Sequence, residues 1–172
     1  MIWILTRAMA FRRLYIFIAL LSVFSVCAQD QSFSPEALND VLIDSEGSEI
    51  KFKSVIEKNK GKVVLLDIWA SWCKDCVVGM PIVKQLKEEF PNVVFVYISL
   101  DKNEASWKNG IERFEIQEGS HFWAADGWKS ELFKSIDLDW IPRYMILDEL
   151  GNIKLYKAIK ASDKEIVKQL KG

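Results

Sequence analysis

The sequence predicts an α/β protein with a central mixed β-sheet flanked by helices, and three observations support this prediction. Val63 to Ile68 and Val93 to Leu100 are continuous apolar runs rich in β-branched residues, which is typical of parallel strands covered on both faces. Each run is followed by a segment with helical periodicity. Near the C-terminus, two further apolar runs surround a loop that contains Gly151, which indicates an antiparallel hairpin. We therefore expect a sheet that is parallel in its middle and antiparallel at one end.

The individual elements follow from the same patterns. Val41 to Ile43 and Ile50 to Phe52 flank the turn-forming residues 44–47 and predict two short strands, an N-terminal β extension of the sheet. The first long helix is expected over Cys73 to Phe90, where apolar residues recur at helical spacing. The other expected elements are helices over Glu104–Phe114 and Ser130–Ile136, strands over His121–Ala124, Tyr144–Leu147 and Ile153–Ala158, and a last helix capped by Ser162 and Glu165.

Composition and charge are those of one folded domain. The chain has 172 residues, of which 50% are hydrophobic, and this is enough apolar material for a single core. Residues 29–40 are polar and predict a flexible N-terminal segment, so that the domain spans residues 41–172. The formal net charge is -1 with both signs mixed along the chain, which disfavours nucleic acid as a partner because there is no basic stripe to bind phosphates. We expect a monomer.

The N-terminus has the pattern of a secretory signal peptide. Arginines precede an apolar run from Leu14 to Val26, and small residues that end in Ala28 follow it as a cleavage signal. The run is shorter than the ~20 residues that a helix needs to span a bilayer. We therefore expect that residues 1–28 are removed after Ala28 and that the protein is exported to the periplasm or cell envelope. An uncleaved anchor, lipid attachment at Cys27 and translation from Met9 are the alternatives.

Two cysteines, Cys73 and Cys76, follow the predicted buried strand and lie at the start of the first long helix. Cys73 then lies at the helix N-terminus, where unsatisfied amide groups and the helix dipole stabilise a negative charge. We expect a lowered pKa and a nucleophilic thiolate at Cys73, and a resolving thiol at Cys76, which lies one turn into the helix. This pair predicts the exchange of dithiol and disulfide with other molecules. A metal site is disfavoured, because the expected mature chain offers only two cysteines and one histidine, and a structural disulfide is the second alternative.

These motifs resemble the thioredoxin superfamily, and in particular its exported TlpA-like and ResA-like thiol-disulfide oxidoreductases. The resemblance covers Leu42 to Leu170 and rests on the segment VVLLDIWASWCKDC (Val63 to Cys76), on Pro81, and on the segment WIPRYMILDELGNI (Trp140 to Ile153). It implies a thioredoxin-like fold and the reduction of disulfide-bearing protein substrates in the cell envelope. It also implies that a membrane or envelope thiol carrier is the electron donor and that no cofactor is needed.

The resemblance further assigns roles to single residues. The family's proline that matches Pro142 is cis and lies against the two cysteines, so Ile141 and Pro142 are expected to dock an extended substrate strand, with Trp72 beside them. A trans proline that merely ends a loop is the alternative. Asp67 stands where thioredoxin has a buried aspartate. Burial would raise its pKa and let it accept the proton of Cys76, whereas a local capping or hydrogen-bonding role is the alternative.

Other functions and residues are less informative. A peroxiredoxin-like peroxidase would need a differently placed cysteine, which Ser71 and Trp72 do not supply, and a non-catalytic binding module would not need intact cysteines. Lys74 and Asp75 have opposite effects on a thiolate, so the sequence does not predict the reduction potential. We expect His121 to be structural. Four tryptophans are interpreted mainly as core or rim packing, with a partner groove as the alternative: Trp107, Trp123, Trp128 and Trp140.

Overall fold

A computed structural model describes residues 32–171 of the chain, in which helices connect the strands of one seven-stranded sheet. The strands are β1 (Val41–Asp44), β2 (Glu49–Lys51), β3 (Val64–Trp69), β4 (Val94–Ser99), β5 (Ser120–Trp123), β6 (Arg143–Leu147) and β7 (Ile153–Ala158). The helices are α1 (Pro35–Asn39), α2 (Phe52–Lys58), α3 (Lys74–Glu89), α4 (Glu104–Arg113), α5 (Glu131–Ser135) and α6 (Lys164–Leu170), with a short 3₁₀ turn over Gly127–Lys129.

The strands are arranged in the order β2-β1-β5-β4-β3-β6-β7. The pairs β3 with β4 and β4 with β5 are parallel, whereas β6 runs antiparallel to both β3 and β7. At the other edge, β1 is antiparallel to β2 and β5. The predicted mixed sheet, parallel in the middle with an antiparallel hairpin at one end and a β extension at the other, is therefore confirmed.

The central strands form the middle of the core. Every residue of β3 and of β6 is buried, as expected for strands covered on both faces. Most of these residues are apolar, but β3 also carries Asp67 and β6 begins with Arg143. Charged residues are almost never fully buried unless they are paired. Asp67 lies on the strand that leads to Cys73, and Arg143 directly follows Pro142.

The expectation that residues 29–40 are flexible is wrong for the part that the structure describes. Pro35–Asn39 forms α1, whose first turn is capped by Ser34, which accepts a hydrogen bond from the amide of Ala37. Phe33 is buried and packs edge-on against Phe52 with ring centroids 4.9 Å apart. The polar composition of the segment hid these apolar anchors, which attach it to the core.

Two other element boundaries differ from the prediction. The apolar residues Phe52 and Val55 belong to one face of helix α2, whereas the sequence was interpreted as a strand ending at Phe52. Helix α6 is capped by Asp163, whose carboxylate accepts a hydrogen bond from the amide of Glu165 at 2.9 Å, and not by Ser162. Aspartate and serine are comparable N-caps, so the local sequence does not choose between neighbouring cap positions.

The predicted signal peptide, its cleavage after Ala28, and the alternatives at Cys27 and Met9 fall outside the described residues and stay predictions. Within residues 32–171, no helix combines the length and apolar character that crossing a membrane requires.

Candidate active site

Cys73 and Cys76 are joined by a disulfide at the start of α3, with their Cα atoms 5.3 Å apart. Cys73 is the N-cap of the helix, and its sulfur accepts a hydrogen bond from the amide of Cys76 at 3.1 Å. Cys73 retains 6% of its accessible surface, whereas Cys76 is fully buried. The predicted placement, with the first cysteine at the helix N-terminus and the second further inside, is confirmed.

A buried carboxylate holds the turn between β3 and α3. Asp101 follows β4, the parallel neighbour of β3, and accepts hydrogen bonds from the amide and the hydroxyl of Ser71 at 3.0 and 2.7 Å. The hydroxyl of Ser99 donates a further bond to it at 2.8 Å. The amide of Cys73 closes the turn by donating to the carbonyl of Ala70 at 3.0 Å. The backbone that leads to Cys73 is therefore fixed from the neighbouring strand.

The loop before β6 lies against the disulfide. The peptide bond between Ile141 and Pro142 is cis, as predicted, and both residues are buried. The carbonyl oxygen of Ile141 lies 3.6 Å from the sulfur of Cys73. Residues 68 positions apart in sequence therefore meet at one sulfur atom, and the backbone of Ile141 is placed beside any group bonded to it.

Arg143 positions this loop from within the core. Its guanidinium is fully buried and donates to the carbonyl of Ile136 at 3.1 Å and to the carboxylate of Asp139 at 2.7 Å. Lys157 binds the same carboxylate at 2.7 Å from the solvent side. A guanidinium presents several donors in a rigid fork, so one side chain fixes several points of the 136–142 loop.

An open groove of about 380 Å³ lies next to Cys73. Its walls include Trp72, Trp128 and Trp140, which are 54%, 46% and 57% exposed. Trp72 is therefore placed beside Cys73 and Ile141, as predicted. Trp107, by contrast, is core, and the half-buried Trp123 donates its indole N–H to the carbonyl of Asp101 at 2.8 Å. Of the four tryptophans for which a partner groove was considered, only Trp128 and Trp140 line this groove.

Asp67 is buried in the middle of β3. Its strand neighbours in register are Tyr97 on β4 and Tyr144 on β6. Neither carboxylate oxygen has a hydrogen-bond partner among residues 32–171. Burial raises the pKa of Asp67 to about 8, because an ionised carboxylate loses its hydration there. The structure thus agrees with the predicted burial and shows no local capping or hydrogen bond for this side chain.

His121 lies on β5 and is buried against Tyr97, with parallel rings 4.7 Å apart. Burial lowers the pKa of His121 to about 4, so the imidazole is neutral at neutral pH.

In the described part of the chain, no group of three or more His, Cys, Asp or Glu side chains is arranged to hold a metal ion.

Sequence reasoning missed three residues of this region: Asp101, Arg143 and Tyr144. Asp101 had a usable signal, because it directly follows a buried strand parallel to β3, and the carboxyl ends of parallel strands share one edge of a sheet. Arg143 and Tyr144 open a strand, and nothing in their local sequence shows that their polar ends are buried in the core.

Three comparisons with known proteins agree with this geometry. A family model described as Thioredoxin-like matches residues 61–153. A thiol-disulfide oxidoreductase ResA of Bacillus cereus is 28% identical over 139 residues, which cover 80% of this chain and 73% of that protein. A ResA of Bacillus thuringiensis subsp. konkukian is also 28% identical, over 69% of this chain and 65% of that protein.

A solved structure shows the same fold. The thiol-disulfide oxidoreductase from Bacteroides fragilis NCTC 9343 superposes with a TM-score of 0.66 over 83% of this chain and 99% of that chain, at 21% sequence identity. The predicted thioredoxin-like fold and the resemblance to ResA-like proteins are confirmed. Because the family model spans more than half of the sequence, the chain belongs to the thioredoxin-like family.

Proposed function

We propose that this chain is a thiol-disulfide oxidoreductase that reduces disulfide bonds of protein partners in the cell envelope through Cys73 and Cys76. The position of the Cys73 sulfur is the observation that carries the proposal. It accepts a helix N-terminal amide hydrogen bond at 3.1 Å, and it lies 3.6 Å from the carbonyl oxygen of Ile141. A reduced sulfur in this position is stabilised as a thiolate beside a backbone edge that can receive a partner. The two relatives named ResA support the same chemistry.

The reaction proceeds in two sulfur exchanges. The Cys73 thiolate attacks one sulfur of the partner's disulfide, and the partner's other sulfur leaves as a thiolate and is protonated. The sulfur of Cys76 then gives up its proton and attacks the sulfur of Cys73, which releases the partner's second sulfur. The products are a partner with two thiols and the disulfide between Cys73 and Cys76. Two electrons have passed from the pair of cysteines to the partner.

Asp67 accepts the proton of Cys76 in the second exchange. Cys76 is fully buried, so its thiol has no direct path to bulk water. Asp67 lies on the strand that leads into the active-site turn, and burial raises its pKa to about 8. A base whose pKa lies near the working pH both takes up and releases a proton readily.

Partners dock in the groove beside Cys73. Trp72, Trp128 and Trp140 are exposed there and provide large apolar contact surfaces. Ile141 and Pro142 lie at the same edge, where main-chain groups can pair with an extended segment of the partner. Trp72, Ile141 and Pro142 are therefore the proposed substrate-binding residues.

The cellular setting completes the proposal. Export rests on the signal-peptide pattern of residues 1–28, and disulfides persist in the compartments that such signals reach. Continued reduction of partners requires two electrons per cycle, which a membrane or envelope thiol carrier supplies by reducing the disulfide again. The reaction needs no cofactor, because each step exchanges only sulfur bonds and protons. We further propose that the protein works as a monomer.

The variant Cys76→Ser tests the proposal directly. Without the resolving thiol, partners should accumulate as disulfide-linked adducts of Cys73, visible on a non-reducing gel. The first probe is a synthetic peptide with one intramolecular disulfide, and the second is capture in cells that make the full chain. The matched control is the double variant with Cys73→Ser, which keeps the groove and should form no adduct. Adducts in the control, or none with Cys76→Ser, would contradict disulfide exchange through Cys73.

A further inference from the structure

The three exposed tryptophans of the groove lie in three different segments of the chain. Trp72 follows β3, and Trp140 lies in the loop before β6. Trp128 lies in the 3₁₀ turn between β5 and α5. Because the side chain of Trp128 is 46% exposed, its place in the groove depends strongly on how the backbone of this turn is held.

The 3₁₀ turn is fixed at both of its ends. At its start, the amide of Gly127 donates to the carbonyl of Ala124 at 2.9 Å, directly after β5. At its end, the amide of Ser130 donates to the carbonyl of Gly127 at 3.1 Å. Ser130 is only 2% exposed and is also the N-cap of α5, so it joins the turn to this helix. The position of Ser130 therefore sets the exit of the turn that carries Trp128.

Asp40, at the end of α1, holds Ser130 although the two are 90 residues apart in sequence. Its carboxylate accepts hydrogen bonds from the hydroxyl of Ser130 and from the amide of Leu132, the latter at 3.0 Å. Hydrogen bonds to an ionised carboxylate are stronger than those between neutral groups. The carbonyl of Asp40 also accepts a bond from the amide of Phe52 at 2.9 Å. Asp40 thus ties the N-terminal segment to the first turns of both α2 and α5.

The surroundings of this contact make it sensitive to the loss of the carboxylate. α1 packs against α5, and both helices bury apolar side chains, such as Ala37 and Leu132. A buried hydroxyl or amide that loses its acceptor destabilises the structure unless water replaces it. Because Ser130 is buried, water can replace the carboxylate only if the start of α5 moves away from Asp40. That movement would also shift the exit of the turn that carries Trp128.

We infer that Asp40 is a positioning residue for partner binding, and that residues 32–40 belong to the partner site because Asp40 holds the turn of Trp128. The inference rests on the proposed function, in which partners dock in this groove, and it adds the class of partner. Asp40 acts through Ser130 and takes no part in the exchange of sulfur bonds. The partner is a polypeptide with apolar side chains next to its disulfide, which extends from Cys73 to Trp128.

The test compares the reduction of two disulfides by the reduced protein in single turnovers. The first is a synthetic peptide with one intramolecular disulfide and flanking leucine and tyrosine residues. The second is hydroxyethyl disulfide, which is too small to extend from Cys73 to Trp128. We expect Asp40→Ala to lower the ratio of the two rate constants, peptide over hydroxyethyl disulfide, roughly fivefold, because the peptide loses one well-placed aromatic contact.

The matched control is Asp148→Ala. Asp148 also accepts backbone hydrogen bonds, from the amides of Leu150 and Asn152 at 2.9 and 2.8 Å. It follows the end of β6 that lies away from the cysteines, since β6 begins directly after Pro142. Its loss should lower the stability in a similar way but leave the ratio of the rate constants unchanged. A role of Asp40 in stability alone would make the two variants alike.

A double-variant cycle with Trp128→Ala separates positioning from a general loss of structure. Because Asp40 acts on the place of Trp128, Asp40→Ala should change the ratio by less than about twofold once Trp128 is absent. Ser130→Ala removes the other partner of the same hydrogen bond and should lower the ratio in the same direction. This second variant keeps the test decisive if Asp40→Ala does not fold, and circular dichroism verifies the folding of each variant.

The outcomes separate this inference from the proposed function. An unchanged ratio in the folded Asp40 and Ser130 variants would overturn the inference, and so would an equal decrease in Asp148→Ala. The same decrease with and without Trp128 would overturn it as well. All of these results leave the chemistry of the cysteines intact. Failure of the unmodified protein to reduce either disulfide would instead overturn the proposed function, and with it the inference.

Discussion

Asp67 on β3 and Asp101, which follows the neighbouring strand β4, are two buried aspartates with very different surroundings. Each retains only 1% of its accessible surface. Asp101 accepts hydrogen bonds from Ser99 and from both the amide and the hydroxyl of Ser71. Asp67 has tyrosines on both sides in register, but no hydrogen-bond donor reaches its oxygens in the part of the chain that the structure describes.

The difference shows how surroundings decide the role of a buried carboxyl. Protein donors replace the lost water around Asp101, so its carboxylate serves as an anchor for the turn before Cys73. Nothing replaces the water around Asp67, so burial favours the protonated form and raises its pKa to about 8. The first group stabilises the position of the nucleophile, and the second is suited to exchange a proton.

The largest expected effect comes from Asp67→Asn in the oxidised protein. The pKa of Asp67 is about 8 in the folded state, far above its usual value, so the folded state binds the extra proton between about pH 4 and pH 8. The free energy of unfolding therefore falls as pH rises through this window, by about 4–5 kcal/mol at roughly 1.4 kcal/mol per pKa unit. The variant lacks this decrease, so its stability relative to the unmodified protein should rise by that amount from pH 4 to pH 9, measured by denaturant unfolding.

The matched control for this measurement is Asp101→Asn. It removes a hydrogen-bonded aspartate instead of an unpaired one, and at pH 9 it should lower the stability where Asp67→Asn raises it. The prediction is contradicted if the difference in the free energy of unfolding between Asp67→Asn and the unmodified protein does not change with pH. The loss of hydration would then not raise the pKa of Asp67.

The second-largest expected effect on stability concerns Asp101, which anchors the turn before Cys73. Asp101→Ala leaves the amide of Ser71 and the hydroxyl of Ser99 without their acceptor, and we expect a loss of roughly 2–3 kcal/mol in the free energy of unfolding. The control Ser71→Ala removes only the hydroxyl bond, one of the three bonds to the carboxylate, and should cost about 1 kcal/mol. Denaturant midpoints measure both. Equal losses in the two variants would argue against Asp101 as the centre of this hydrogen-bond cluster.

The smallest expected effect is that of Tyr144→Phe. Its hydroxyl is buried and has no partner within residues 32–171, so removing it should change the stability by about 1 kcal/mol or less, in the favourable direction. A calorimetric melting temperature measures this difference. A loss above about 2 kcal/mol would indicate a real hydrogen bond of this hydroxyl and would weaken the description of the surroundings of Asp67 as unpaired.

Much of the site could be predicted from the sequence because its signals are local. A buried strand run, a Trp-Cys-x-x-Cys segment and the start of a helix are contiguous, so the position of Cys73 at a helix N-terminus follows from neighbours in the chain. The cis bond before Pro142 came from family resemblance. Helix α1 was missed because a few buried side chains, such as Phe33 and Ala37, hold a segment whose overall composition is polar.

The sequence by itself determined the order of the strands and of the helices from α3 onwards, the pair of cysteines and the strand that bears Asp67, because periodicity and short motifs depend on residues close together in the chain. Only the tertiary structure decided that Asp101 anchors the turn, that Arg143 holds the proline loop and that Tyr144 flanks Asp67. Those relations depend on strand order and register, which bring distant residues together. They also depend on burial, which sets how far the pKa of an unpaired carboxyl group is shifted.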